Sequence, residues 1–249
     1  MSPWPIRRPI GMSEDEPAQA GRARLPSLSI IVPMLDEREM LPRVLEHLEP
    51  YRQAGCEVLL IDGGSRDGSD EFARQAGFRV APSVMGRASQ MNAGARLASG
   101  DLLLFLHADT RLPSGADTLV RHAIAKESRV WGFFKVRIEG NSRLLPIVGF
   151  LMNHRARLTG IATGDQAIFV RRSAFERVGG FPEQPLMEDV ELSKRLKRIA
   201  RPARVRRHAM TSGRRWESRG VLRTIALMWS LRLAYWLGVS PETLARRYR

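Results

Sequence analysis

The chain has 249 residues, enough for one large α/β domain or for one domain with an appendage. A single cysteine, Cys56, excludes a disulfide framework and a multi-cysteine metal site. The formal net charge is +14, and much of the excess is local: from Arg195 to Arg223 eleven basic residues face one acid, Glu217. Such a run favours a polyanion (anionic lipid, nucleic acid or a phosphorylated substrate) without choosing among them.

Residues 1–25 are rich in Pro, Arg, Gly and acids and lack the apolar core of a signal peptide, so they read as a disordered leader on a cytoplasmic protein. Residues 28–33 are β-branched and apolar and predict a strand. Helical spacing of Met40, Val44, Leu45 and Leu48 follows over 39–54, then a strand at 57–62 after Cys56, which reads as a small packing residue. A short helix at 69–76, capped by Ser69 or Asp67, a short strand at 78–81, a helix at 88–98 and a strand at 102–106 continue the alternation. Strands alternating with helices need crossover connections, hence a mostly parallel twisted sheet with helices on both faces.

After Thr110 the rhythm changes. A helix is predicted at 116–126, a strand at 133–138, an apolar stretch ending in Arg at 144–158, a strand at 167–170, and helices at 173–178 and 189–199. Residues 221–239 are apolar and aromatic but interrupted by Arg223 and Arg232. A spanning helix needs about 20 apolar residues with few charges. A surface helix, with tryptophans at headgroup level and arginines reaching lipid phosphates, and a core-packing helix are both open. The expected organisation is a leader at 1–25, a domain at 26–216 and a C-terminal amphipathic segment at 217–249.

Two apolar runs end in aspartate: Val58-Leu59-Leu60-Ile61 meets Asp62-Gly63-Gly64-Ser65, and the run 102–106 meets His107-Ala108-Asp109-Thr110. Ligands of open α/β sheets bind beyond the carboxyl ends of the strands, so Asp62 and Asp109 are expected together at one sheet edge.

The ordered set Ser29-Ile30-Ile31-Val32-Pro33, Asp36-Glu37, Asp62-Gly63-Gly64-Ser65 with Asp67-Gly68, and the aspartate after the fourth strand resembles family 2 glycosyltransferases of the GT-A fold. Gly86-Arg87-Ala88 with Gln90-Met91-Asn92, Gly164-Asp165-Gln166, Met187-Glu188-Asp189 and Ser212-Gly213-Arg214-Arg215-Trp216-Glu217 are similar to a bacterial subgroup, the radical-SAM/selenodomain-associated transferases. The resemblance implies an inverting hexosyl transfer from a nucleoside diphosphate sugar to an acceptor hydroxyl. It implies that Asp62 reads the base, with Pro33, Asp36, Glu37 and Gly63 lining its pocket. Arg87 and Asn92 stand near the diphosphate, and Asp109 holds Mn²⁺ or Mg²⁺. The usual Asp-x-Asp is here His107-Ala108-Asp109, so His107 is either a nitrogen ligand or a packed histidine. Asp189 is the general base with Glu188 in support. Asp165 and Gln166 lie under the acceptor, and Arg214, Arg215 and Trp216 close over it. The apolar stretches suggest a lipid-linked acceptor and an anionic membrane surface as partner, on the inner face of the plasma membrane. A nucleotidyltransferase would want a Gly- and Lys-rich loop after the first strand, which Met34-Leu35-Asp36-Glu37-Arg38 is not. A non-catalytic basic binder of nucleic acid or membrane is the other alternative; no nucleic-acid module is recognisable.

Overall fold

The computed structural model describes residues 25–125 and 129–248, without the side chain of Arg215. The expected leader therefore lies outside the described residues, except for Leu25. Strands β1 (Leu28–Met34), β2 (Glu57–Asp62), β3 (Arg79–Pro82) and β4 (Leu102–Phe105) pair in parallel and alternate with α1 (Leu41–Gln53), α2 (Ser69–Gln75) and α3 (Arg87–Leu97). The remaining strands are β5 (Thr110–Arg111), β6 (Trp131–Glu139), β7 (Phe169–Arg171) and β8 (Ala203–Ser212). They extend one sheet of eight strands in the order β3-β2-β1-β4-β7-β6-β8-β5. Antiparallel pairing of β7 to β4 and β6, and of β5 to β8, makes this second half mixed.

The period of two along the central strands explains the two helix layers. Ile30, Val32, Leu60 and Leu104 meet Leu41, Leu45 and Leu48 of α1 and Val120 of α4 (Ala116–Ile124) on one face. Ile31, Leu59, Ile61 and Phe105 meet Met91 of α3 on the other. That layer is completed by Phe175 of α6 (Arg172–Arg177) and Leu192 of α7 (Glu188–Ile199). Burial on both faces is why β1, β2 and β4 read as continuous apolar runs. Cys56 is buried in the first layer, with its thiol pKa pushed up by that burial, as expected of a packing residue.

Strand β8 is the largest departure from the sequence reading, which places no element at 201–212 and counts that stretch in the basic run from Arg195 to Arg223. Ala203, Val205, Ala209 and Thr211 turn inward while Arg204, Arg206, Arg207 and His208 stay exposed. A register shift against β6 between Phe134 and Lys135 absorbs the extra residues and hides the alternation. Helix α2 also starts differently: left-handed Gly68 takes the cap position, and Asp67 accepts from the Ser69 N–H at 2.9 Å.

Helix α5 (Leu145–Thr159) packs on the far end of β6 through Val148 and Met152. Beyond β8 come α8 (Arg214–Arg219), α9 (Val221–Trp236) and α10 (Pro241–Tyr248). Val221 joins α5 and β6, and Leu231 and Leu244 pack on Met187 and Val190 at the start of α7. The C-terminal segment thus has a core-packing face. Its opposite face leaves Leu222, Trp229, Leu233 and Trp236 exposed at helical spacing. Arg232 turns into a cavity against the domain rather than outward to headgroups. No described helix is long and apolar enough to cross a membrane.

Candidate active site

The loops at the carboxyl ends of β1 and β2 are tied to each other. Asp36 takes a left-handed φ of 53°, accepts from the Arg66 N–H at 2.8 Å, and donates its own N–H to Ser65 Oγ at 2.9 Å. Asp62 is buried and accepts from the N–H groups of Gly64 and Ser65 at 2.9 and 3.1 Å and from the Ser65 hydroxyl at 2.5 Å. It therefore shapes its own turn, with acceptor capacity left over on a carboxylate. Beneath both loops lies Gln90, which sequence reasoning quoted in a motif without giving it a role. Its buried amide donates to Met34 O at 2.8 Å and Ile61 O at 2.7 Å and so pins the two strand ends together. Gly63 fits because a Cβ there would stand 3.0 Å from that amide.

Three expected pocket residues also have partners in the scaffold. Pro33 is buried inside β1 opposite Ile61. The pairing of β1 with β4 ends at Ile31, so the N–H that Pro33 lacks leaves no ladder bond unmade. Asn92 closes a two-way clamp, donating to Phe181 O at 2.8 Å and accepting from the Phe181 N–H at 2.9 Å. That clamp positions the chain leading to α7. Gln166 is fully buried and forms a capping box with Thr163 around the 3-10 turn Gly164–Gln166.

That turn brings together what the sequence keeps apart. His107, Asp109 and Asp165 place one ligand atom each within 4.8 Å of one another, with His107 Nδ1 3.5 Å from Asp165 Oδ1. Asp165, expected under the acceptor, is thus the third member of a candidate metal centre. Burial raises its pKa, but His107 and then Arg87 outweigh this and hold it low, so the carboxylate stays ionised. One imidazole and two carboxylates suit a divalent cation of the Mn²⁺ or Mg²⁺ type. Gly164 is required for the approach: a Cβ there would fall 2.1 Å from His107 Cε1.

The base pair of carboxyls sits alongside. Asp189 accepts from the Gly164 N–H at 2.8 Å and from the Val190 N–H at 2.7 Å, which fixes its orientation and couples it to the turn carrying Asp165. Glu188 is 5% exposed, and its pKa is raised by burial first and by Asp189 second. Met187, just before them, has a left-handed φ of 67°. The described non-glycine residues with positive φ are Asp36, Ala167 and Met187, all on loops of this site, where such strain is commonly held by surrounding packing. Leu231 and Leu244 supply that packing at Met187.

Basic groups complete the cleft. Arg87 starts α3 and remains accessible to solvent. Desolvation lowers its pKa, but Glu188, Asp165 and Asp109 raise it further. Glu37 is raised by burial and Asp109, and partly offset by Arg214 and Arg87, so these charged groups act on one another. Pairing of β5 with β8 delivers Arg214: Thr110 bonds Thr211 at 3.1 Å, and the Ser212 N–H donates to Asp109 O at 3.1 Å. Trp216 is half-buried and lines a cavity that also holds Asp165, Arg155 and Arg232. Arg155 has no role in the sequence reading, and Arg232 enters it only as a charge interrupting the apolar C-terminal run, reaching lipid phosphates if that run is a surface helix. Their signal was available, since each is a charge inside an apolar helical stretch.

Residues 29–179 match the family profile described as glycosyl transferase family 2. An uncharacterized glycosyltransferase of Mycobacterium tuberculosis is 30% identical over 193 residues, covering 73% of this chain and 72% of that protein. A PGL/p-HBAD biosynthesis glycosyltransferase of Mycobacterium bovis is 38% identical over 105 residues, 39% of this chain and 41% of its own length. Among solved structures, a mannosyltransferase of Pyrobaculum calidifontis, in complex with GDP-Man and Mn²⁺, superposes with a TM-score of 0.58 at 20% identity. That match covers 85% of this chain and 62% of the other, so the chain spans about three-fifths of that structure. Glucosyl-3-phosphoglycerate synthase of M. tuberculosis, in complex with Mn²⁺ and UDP, matches with a TM-score of 0.56 at 19% identity over 75% and 71% of the two chains. The sheet order, the strand-end carboxylates and these matches agree: the chain belongs to glycosyl transferase family 2 and has the GT-A fold.

Proposed function

We propose that this chain is an inverting transferase that moves a hexosyl group from a nucleoside diphosphate sugar to an acceptor hydroxyl. The observation that carries the reading is the convergence of His107, Asp109 and Asp165 beside Asp189, with Arg87 and Arg214 facing them. Asp62, Asp36, Glu37 and Gly63 receive the nucleoside, Asp62 through its unspent acceptor sites. Arg87 and Arg214 hold the diphosphate through guanidinium donors, with Arg215 assigned to the same task from its motif. His107, Asp109 and Asp165 would hold a divalent cation, Mn²⁺ being favoured by the imidazole, which supplies charge neutralisation at the departing diphosphate.

Asp189 is half-buried while Glu188 is closed off, so Asp189 is the carboxylate that an acceptor can reach. It takes the hydroxyl proton as the acceptor oxygen bonds to the anomeric carbon and the bond to the diphosphate breaks on the opposite face. Two backbone N–H groups keep it aimed. Glu188, more easily protonated, limits the negative charge on the pair.

The Gly86-Arg87, His107-Ala108-Asp109 and Arg214-Arg215-Trp216 motifs support membership of the radical-SAM/selenodomain-associated bacterial subgroup. The exposed stripe of Leu222, Trp229, Leu233 and Trp236 supports peripheral attachment to the cytoplasmic face of a membrane and an amphipathic, lipid-linked acceptor. The test is calorimetric titration with UDP- and GDP-sugars, with and without Mn²⁺, on the wild type and Asp109→Ala. The expected result is binding of one nucleotide that tightens with Mn²⁺, with the metal dependence lost in the variant. Metal-linked binding unchanged by Asp109→Ala would refute the assignment.

A further inference from the structure

Asp165 and residues of α5, α8 and α9 line a cavity of about 70 Å³. A water needs roughly 10–15 Å³ by this kind of measure, so there is room for several waters or one tetrahedral anion. Its walls are mainly apolar, including Met152, Met228 and Trp216, yet Arg155 and Arg232 both line it. The Nε atoms of both arginines are sealed from solvent and lack a hydrogen-bond partner. Neither guanidinium forms an ion pair among the described residues, and the partner recorded for Arg155 is Ile161 O at 3.4 Å. Burial first and Arg232 second push the Arg155 pKa down to about 10. Asp189 and Asp165 offset the two guanidiniums through space without an ion pair to either among the described residues, so the buried Nε donors stay unspent and suit an added acceptor group.

We infer that this cavity is an acceptor subsite in which Arg155 and Arg232 grip a phosphate monoester. The inference rests on the transferase reading above and specifies its acceptor. A phosphate monoester presents three strong acceptor oxygens and can take N–H donors from both guanidiniums at once. Planar N–H forks also suit phosphate oxygens. The subsite belongs to the acceptor because Asp165 lines it and Asp189 acts electrostatically on both arginines, while Asp62 and Asp36 are not among its walls. The phosphate is a handle and is not consumed; it sets the reacting hydroxyl toward Asp189. Leu151 and Trp229, both exposed and both lining the cavity, offer an apolar path for the rest of the molecule.

The test titrates the full chain with dodecyl phosphate, glycerol 3-phosphate and the neutral amphiphile dodecyl maltoside. Arg155→Met and Arg232→Met are compared with wild type, and UDP with Mn²⁺ is titrated into each as a check on the donor side. The expected result is binding of a phosphate ester that each substitution weakens about tenfold or more, with UDP–Mn²⁺ affinity unchanged. Preference for dodecyl phosphate assigns a lipid source, and equal affinity for glycerol 3-phosphate assigns a water-soluble one. The inference is overturned if neither ester binds wild type, if both variants bind like wild type, or if dodecyl maltoside matches dodecyl phosphate. A variant that also loses UDP binding is replaced by Arg→Lys at the same position, which keeps the charge, and the same criterion is applied. Failure of UDP or GDP to bind wild type, with ester binding intact, sinks the transferase reading and the acceptor role but not the anion site.

Discussion

Replacing Gly164 by alanine puts a methyl group into the His107 imidazole. The new Cβ would lie 2.1 Å from Cε1 and 2.2 Å from Nε2. Carbon atoms in contact settle at about 3.5–4.0 Å, so the ring or the turn must move by about 1.4 Å or more. Overpacking of this kind costs about 1–3 kcal/mol, which for a chain of this size lowers Tm by roughly 2–4 °C per kcal/mol. The functional effect should be larger than the stability effect, because metal–ligand distances tolerate only about 0.2 Å. Displacing His107 from Asp109 and Asp165 should weaken Mn²⁺ binding at least tenfold, on the order of the losses seen when metal-site support is removed. Gly149→Ala is the matched control. Its Cβ would meet Val136 O of β6 at 3.6 Å, an ordinary contact, and helix propensity favours alanine by up to about 1 kcal/mol. The assay is Mn²⁺ titration followed by electron paramagnetic resonance, with thermal unfolding measured on the same samples. A Gly164→Ala protein that unfolds at lower temperature yet binds Mn²⁺ within about twofold of wild type would show that His107 is not a ligand.

Asp189→Asn should reduce turnover by about 10²–10⁴-fold with nucleotide affinity retained, read from steady-state kinetics beside calorimetry; a comparable loss in nucleotide affinity would contradict its role as base. Glu188 governs part of the pH response. Its folded pKa is raised above the ordinary 4.5, so the native state binds a proton that the unfolded chain releases. Stability contributed this way is present at low pH, falls as pH rises from about 4.5 through the raised value, and stays lost above it. Glu188→Gln should flatten that limb in urea unfolding as pH rises above the ordinary carboxylate range, and an unchanged slope would reject the assignment. Asn92→Ala should cost about 2–4 kcal/mol, because both the N–H and C=O of Phe181 lose their partner, while nucleotide affinity stays the same. Trp229→Ser with Trp236→Ser should reduce co-sedimentation with anionic vesicles, since both indoles lie on the exposed stripe of α9; equal sedimentation would remove the membrane role of that stripe.

The sequence by itself determined the parallel half of the sheet and the two strand-end aspartates. The reason is local: β1, β2 and β4 are buried on both faces, so each is written as an unbroken apolar run closed by turn residues. Asp109 and Glu188-Asp189 were legible for the same kind of reason, as acids at element ends inside a recognisable order of motifs. Strand β8 was not legible, because its solvent face is basic and its register shift breaks the period of two. Only the tertiary structure placed Asp165 with His107 and Asp109, since that meeting depends on Gly164 fitting under an imidazole 57 positions away in the chain. It also decided which polar residues serve the scaffold. Gln90, Asn92 and Gln166 have side chains equally able to touch a ligand, and what fixes their use is the backbone carbonyl or N–H that folding leaves beside each one. Arg155 and Arg232 are the sharpest case: 77 residues apart in sequence, they become neighbours only where α5 and α9 line one cavity.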